Sequence, residues 1–150
     1  MKRSHSAEQQ GSASILLVDD NRNGLIARRT VLRELHYDVT TATDGEEALE
    51  LFSKQHFDLV ITDHRMPRMS GVDLIRKLKQ KRPSVPVVLL SGFVEPLGLN
   101  ERSTGADAVI SKSANEVAHL VRAASKLLSR QRKPPQPQRS PGKAKAESAS

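Results

Sequence analysis

The stretch at residues 57–71, FDLVITDHRMPRMSG, determines how the rest of the chain is interpreted. Its apolar beginning is typical of a buried strand, and Pro67 and Gly71 predict a turn before the next helix. Asp63 therefore ends a strand. Because ligands of open α/β sheets bind at the carboxyl edge, Asp63 is a candidate functional residue. The alternative is an aspartate that only caps the turn.

The same arrangement occurs at three other places in the chain. If the strands are parallel, their terminal residues meet at one edge of the sheet as three carboxylates, a hydroxyl and an ammonium. Taken singly, these residues are also typical of a helix cap, a turn and a solvated lysine. The run ILLV at 15–18 is followed by Asp19 and Asp20, the run at 85–90 by Ser91, and AVIS at 108–111 by Lys112.

Four segments resemble the receiver domain of two-component response regulators: LLVDDN, TDHRMPRMSG, LLSG and GADAVISK. They stand in the family's order and close to its spacing, and the resemblance covers roughly residues 14–129. It implies an α/β, flavodoxin-like (βα)5 three-layer sandwich with a parallel five-stranded sheet of order 2-1-3-4-5. That order is taken from the family, since flavodoxin and a chemotaxis receiver share it.

The chemistry of the edge favours a hard cation. Clustered carboxylates repel one another, and a chain without cysteine offers oxygen ligands that suit Mg²⁺ better than Ca²⁺. The resemblance implies that Asp63 accepts a phosphoryl group from a histidine of a sensor kinase or a histidine phosphotransfer protein. It also assigns the other roles: Asp19 and Asp20 hold Mg²⁺ with Asp63 and the backbone carbonyl of Arg65, while Lys112 and Ser91 contact the phosphoryl group.

By the same resemblance, the domain is a signalling module that catalyses its own phosphorylation and dephosphorylation and no other reaction. Onward phosphotransfer and phosphorylation-dependent docking to an unknown downstream protein both stay open. A monomer or weak dimer is expected. The neighbouring His64 is interpreted as a spacer that strand alternation turns away from Asp63.

Two positions depart from the family pattern. Val109 stands three residues before Lys112, where receivers usually carry an aromatic switch residue, and Ser113 replaces the usual proline. The first departure leaves open a degenerate receiver that binds partners without phosphorylation. A small phosphohydrolase of the haloacid dehalogenase kind is a further alternative, although that family needs Asp-x-Asp where this chain has Asp19-Asp20-Asn21.

Composition limits the other classes of function. The chain has 150 residues, enough for one domain, and no apolar run long enough for a membrane span or a secretion signal, so a cytoplasmic protein is expected. Of the net charge of +7, the predicted tail at 130–150 carries six basic residues against Glu147. We expect a flexible lead at 1–13, a receiver at 14–129 and a disordered basic tail without an output domain, for which nucleic acid is at most a weak ligand.

Helical spacing predicts the elements between the strands. Leu25, Leu32 and Leu35 indicate a first helix, with Arg28, Arg29 and Arg33 expected on its solvent side. Capping boxes are predicted at Thr43 with Glu46 and at Ser113 with Glu116. A third helix is expected from Gly71 to about Lys81, and a short, shifted or mobile one within 92–104. The last helix should bury an apolar stripe of Val117, Leu120, Val121, Ala124, Leu127 and Leu128.

Overall fold

Five strands alternate with five helices in the computed structural model, which describes residues 12–92 and 99–132. The predicted lead and tail lie largely outside these ranges, as do Pro96 and Gly98. The elements are β1 (Ser14–Val18), α1 (Arg22–Glu34), β2 (Asp38–Ala42), α2 (Gly45–Lys54), β3 (Leu59–Asp63), α3 (Gly71–Lys81), β4 (Val87–Ser91), α4 (Glu101–Thr104), β5 (Ala108–Ser111) and α5 (Glu116–Arg132).

The five strands form one parallel sheet of order β2-β1-β3-β4-β5, which confirms the predicted topology. In the register of the sheet, Val18 of β1 pairs with Thr62 of β3. Chain connections leave in opposite directions from β1 and β3, so the crevice between their carboxyl ends is the topological switch point. The residues that follow Val18 and end β3 therefore lie at the place where such folds bind ligands.

Helices cover both faces of the sheet because the strand residues alternate between two apolar clusters. Ile15 and Leu17 pack with buried residues of α1 and α5, whereas Leu16 and Val18 pack with residues of α2 and α3. The predicted three-layer sandwich is confirmed. All residues of β3 and β4 are buried, and burial on both faces explains why their apolar residues form continuous runs that do not alternate with polar ones.

Both predicted capping boxes are wrong in detail. Asp44 caps α2 and accepts a hydrogen bond from the Glu47 amide at 2.7 Å, while the Glu47 carboxylate accepts from the Thr43 amide at 2.8 Å. The N-cap is Asp44, one residue after the predicted Thr43, because a carboxylate at the N-cap interacts better with the helix dipole than a hydroxyl. The Glu47 carboxylate bonds to the amide before the N-cap, so it does not complete a capping box with Asp44.

The start of α5 differs from the prediction for another reason. Ser113 Oγ accepts from the Asn115 amide at 3.4 Å, and Glu116 is the first residue of the helix. The Glu116 carboxylate pairs with Arg28, so it is not used for a capping box. Along α5 the predicted stripe is buried except for Val121, which is half-buried, and Val117, which is 44% exposed.

Helix α3 begins and ends where the sequence predicts, and Ser70 caps it by accepting from the Asp73 amide. Helix α4 has four residues, and residues 93–98 of the segment predicted to hold a short, shifted or mobile helix lie outside the described ranges. Within the described ranges, none of the helices has the length and apolar character needed to cross a bilayer.

Candidate functional site

Three aspartates converge at the carboxyl edge of the sheet. Asp19 follows β1, Asp20 is its neighbour, and Asp63 ends β3. Each contributes a carboxylate oxygen, and these oxygens all lie within 4.8 Å of one another. Asp19 and Asp63 are 1% and 4% exposed, whereas Asp20 is exposed to solvent. The predicted cluster is therefore assembled by the backbone topology, with its open side at Asp20.

The predicted lysine reaches the same cluster from the other half of the sheet. Lys112 follows β5 and forms an ion pair with Asp63 Oδ1, although β4 lies between β3 and β5. The Lys112 amide donates to the Ser91 carbonyl at 3.0 Å. This hydrogen bond holds the backbone of Lys112 against the end of β4. Ser91 is buried and ends β4, the strand between the carboxylate and the ammonium.

The electrostatics of Asp63 reflect this setting. Burial raises the pKa of the Asp63 carboxyl above its usual value, and the hydrogen bond and positive charge of Lys112 oppose that rise. The negative charge of Asp19 raises the pKa of Asp63 further, and the charge of Arg28 lowers it. The ionised carboxylate is therefore held in an environment that favours its neutralisation by a proton or a cation.

Arg28 belongs to the site, and its predicted position on the solvent side of α1 is wrong. It is not on the solvent side of α1 but is 8% exposed, and its Nη1 donates to Asp19 Oδ2 at 2.6 Å. Leu25, Arg28 and Leu32 share one helical stripe at i, i+3 and i+7, which is the signal that could have identified it. Burial lowers the pKa of Arg28, but hydrogen bonds and charges of Glu116 and Asp19 outweigh it, so the net direction is upward.

Two residues beyond β3 border the site without a demonstrated role. Arg65 is exposed, and the ligand role predicted for its backbone carbonyl stays a prediction. His64 is half-buried, and its Nδ1 has no hydrogen-bond partner within the described residues. Both residues line an open groove of about 500 Å³ with Asp20. The acidic cluster therefore opens to solvent through Asp20, on the wall of this groove.

The donor set fits a magnesium ion. Each of the three ligand candidates is a carboxylate, and hard oxygen ligands on one side of an open site leave room for waters and phosphate oxygens. With the ion pair between Lys112 and the buried Asp63 added, the arrangement can hold a divalent cation and a phosphoryl group beside one another. Such positioned cations are the main assistance that a protein can give to phosphoryl transfer.

Known proteins resemble this chain in sequence and in fold. The profile of the response regulator receiver domain matches residues 15–124. The sensor protein EvgS of Escherichia coli (strain K12) is 42% identical over 92 residues, which cover 61% of this chain and 7% of EvgS. The alkaline phosphatase synthesis transcriptional regulatory protein PhoP of Bacillus subtilis (strain 168) is 34% identical, with 73% of this chain and 47% of PhoP covered.

A solved structure supports the same assignment. The response regulator protein TrrA of Thermotoga maritima, in complex with Mg²⁺-BeF, superimposes with a TM-score of 0.70 and 33% sequence identity. The match covers 77% of this chain and 98% of that one. The chain belongs to the response regulator receiver domain family. It spans less than half the length of the two curated relatives described above.

Proposed function

We propose that this domain accepts a phosphoryl group on Asp63 from a phosphohistidine of a sensor histidine kinase or a histidine phosphotransfer protein. The observation that carries the proposal is the position of Asp63, a buried carboxylate between two further aspartates and Lys112. When a metal is bound, this carboxylate lies between two positive charges, the metal ion and the Lys112 ammonium. The resulting aspartyl phosphate would then control docking of a partner protein or be passed onward.

The transfer step follows from the groups present. An Asp63 carboxylate oxygen attacks phosphorus, the new O–P bond forms, and the electron pair of the breaking N–P bond returns to the donor histidine. Lys112 donates to a phosphoryl oxygen, and the Ser91 hydroxyl stands on the adjacent strand end as a second donor. When bound by Asp19, Asp20, Asp63 and the Arg65 carbonyl, Mg²⁺ supplies further positive charge to the transferring group.

A degenerate receiver is the second candidate, and one observation favours it. Val109 is half-buried against the apolar cluster of α2 and α3 and offers no ring that could change position on phosphorylation. A domain of that kind would bind its partner in one state. The complete acidic cluster and the Lys112 ion pair favour the phosphorylated form of the proposal instead.

Intact-mass measurement with a small phosphoryl donor tests the proposal. The protein is incubated with acetyl phosphate with and without Mg²⁺, beside Asp63→Asn as the matched variant. We expect one phosphate adduct that requires Mg²⁺ and is absent from Asp63→Asn. An adduct that persists in Asp63→Asn would refute the assignment of Asp63. A sample that stays unmodified with acetyl phosphate and with a panel of phosphorylated histidine kinases would favour the degenerate receiver.

A further inference from the structure

Arg28 links two carboxylates that belong to different parts of the fold. Its Nη1 donates to Asp19 Oδ2 at 2.6 Å, and its Nε donates to Glu116 Oε2 at 2.5 Å. Asp19 belongs to the acidic cluster, whereas Glu116 opens α5. The side chains of Arg28 and Glu116 are only 9% and 13% exposed. A buried guanidinium thus connects the proposed metal site to the first turn of the last helix.

The chain makes room for this contact at Gly24. A Cβ atom at that position would lie 2.9 Å from Arg28 Nη1 and 2.9 Å from Asp19 Oδ2. Glycine within a helix is less favourable than alanine, because it loses more backbone freedom on folding. The space that it leaves is filled by the ion pair between Asp19 and Arg28. A glycine at this position of α1 therefore allows the ion pair between Asp19 and Arg28 to form beside the acidic cluster.

Asp19 is shared between the protein and any bound cation. Asp19 Oδ1 accepts from the Asn21 amide at 2.9 Å, and Oδ2 accepts from Arg28. A metal ligated by Asp19 would stand close to a full positive charge, and charges at such distances interact strongly when solvent is excluded. The guanidinium both orients the carboxylate and repels the cation that the carboxylate binds.

We infer that Arg28 is a positioning residue that lowers the affinity of the acidic site for Mg²⁺, and that Glu116 moderates this effect by sharing the guanidinium. The inference rests on the proposed function, because it concerns the metal that the phosphoryl transfer requires. Without Glu116, the charge of Arg28 acts on Asp19 alone. Without Arg28, Asp63 keeps its ion pair with Lys112, but Asp19 loses the guanidinium that contacts it.

The two positions then have opposite effects on metal binding. Arg28→Met removes the opposing charge, and we expect Mg²⁺ to bind about tenfold more tightly. Glu116→Gln keeps a hydrogen-bond acceptor for Arg28 but removes a negative charge, and we expect Mg²⁺ to bind about threefold more weakly. If Arg28 has only a structural role, both variants lose order at Asp19 and neither binds Mg²⁺ more tightly than the native protein.

An Mg²⁺ titration followed by amide chemical shifts measures these affinities. The Asn21 amide reports on Asp19 Oδ1, and the Arg28 Nε–H resonance reports on the contact with Glu116. Arg29→Met and Glu34→Gln are the controls, since they make the same charge changes elsewhere on α1. The same samples are treated with acetyl phosphate, so that loss of the proposed function is seen separately.

The possible outcomes are distinct. Tighter binding in Arg28→Met with weaker binding in Glu116→Gln and little change in the controls supports the inference. Unchanged or weaker Mg²⁺ binding in a folded Arg28→Met variant overturns the inference. The proposed function stands in that case if acetyl phosphate phosphorylates the native protein. If Arg28→Met does not fold, the test depends on Glu116→Gln. Unchanged or tighter Mg²⁺ binding in that variant overturns the inference. A native protein that binds no Mg²⁺ refutes both.

Discussion

Lys112 and Asp63 form an ion pair across an intervening strand. The ammonium follows β5 and the carboxylate ends β3, with β4 between them in the sheet. A contact over this distance requires both side chains to lie above the carboxyl edge, where the Lys112 amide is fixed to the Ser91 carbonyl. The pair stabilises the charged form of a buried carboxylate and also leaves an ammonium beside the atom proposed to receive the phosphoryl group.

Replacement of this lysine should slow phosphorylation. In Lys112→Met the positive charge at the phosphoryl oxygens is lost, and the pKa of Asp63 rises further because Lys112 no longer lowers it. We expect the initial rate of adduct formation with acetyl phosphate and Mg²⁺ to fall on the order of 100-fold. Intact mass against time measures it. Lys77→Met, on the exposed side of α3, is the control, and equal rates in the two variants would contradict the role given to Lys112.

The stability of the protein should depend on pH through Asp63. Because burial raises the pKa of Asp63, the folded carboxyl holds its proton at pH values where the unfolded chain has lost it. The stabilisation from this carboxyl group is therefore present below its ordinary pKa and is lost as the pH rises through the raised pKa. Asp63→Asn should raise the denaturation midpoint at neutral pH without Mg²⁺, and the gain should shrink as the pH is lowered.

Asp73 provides a control of the opposite sign. Hydrogen bonds from Arg76 and Ser70 lower the pKa of its exposed carboxyl. Its contribution is present above the ordinary carboxyl pKa and is lost as pH falls through the lowered value. Asp73→Asn should therefore leave the neutral-pH midpoint unchanged or slightly lower it. Thermal melts across a pH series compare the two variants, and a lower midpoint for Asp63→Asn at neutral pH would show that the charge of Asp63 is favourable.

Gly71 should tolerate no side chain. A Cβ atom there would lie 2.5 Å from the Asp63 carbonyl oxygen and 2.7 Å from Leu89 Cδ1. Since backbone cannot move aside without shifting β3, we expect Gly71→Ala to lower the free energy of unfolding by about 2 kcal/mol. Gly92→Ala is the matched control, because no heavy atom of the described residues lies within 4 Å of its Cβ position. Its effect should stay within about 0.5 kcal/mol. Urea denaturation measures both, and equal midpoints would contradict the close approach at Gly71.

The sequence was sufficient for the site residues that stand at strand ends. Parallel strands bring their carboxyl ends together, so the apolar runs before Asp19, Asp63 and Lys112 predict a common edge whatever the details of packing. Boundaries of α3 were also predictable, because Gly71 follows a turn and Pro83 ends the amphipathic pattern. These features depend on local pattern and on topology.

The sequence was insufficient where charges are buried in pairs. Arg28 and Glu116 lie 88 positions apart, and each is typical of a solvent-exposed helix surface when considered alone. Burial of one becomes favourable because the other is present, and that pairing depends on how α1 and α5 pack. For the same reason Glu116 was assigned to a capping box. A tertiary ion pair outweighed a local hydrogen bond at that position.

Val109 should limit how far phosphorylation changes the structure. Its side chain is half-buried beside the apolar cluster that contains Leu89, and its amide donates to Glu101 Oε2 at 3.2 Å. Valine is stiff at χ1 and has no aromatic ring, so it cannot move a ring between a buried and an exposed position. We expect beryllofluoride with Mg²⁺ to shift the amide resonances of Asp63, Ser91 and Lys112 and to leave those around Val109 nearly unchanged.

Amide spectra of one sample, recorded with and without beryllofluoride, compare the acidic edge and the surroundings of Val109 under identical conditions. The resonances of the acidic edge report that the phosphate mimic has bound, so small shifts at Val109 cannot result from an empty site. Val109→Tyr supplies the matched variant, because its ring restores the group that receivers usually carry at this position. Larger shifts around residue 109 in that variant would identify the missing ring as the cause. Large shifts around Val109 in the native protein would contradict the expectation and assign the coupling to the hydrogen bond from the Val109 amide to the Glu101 carboxylate.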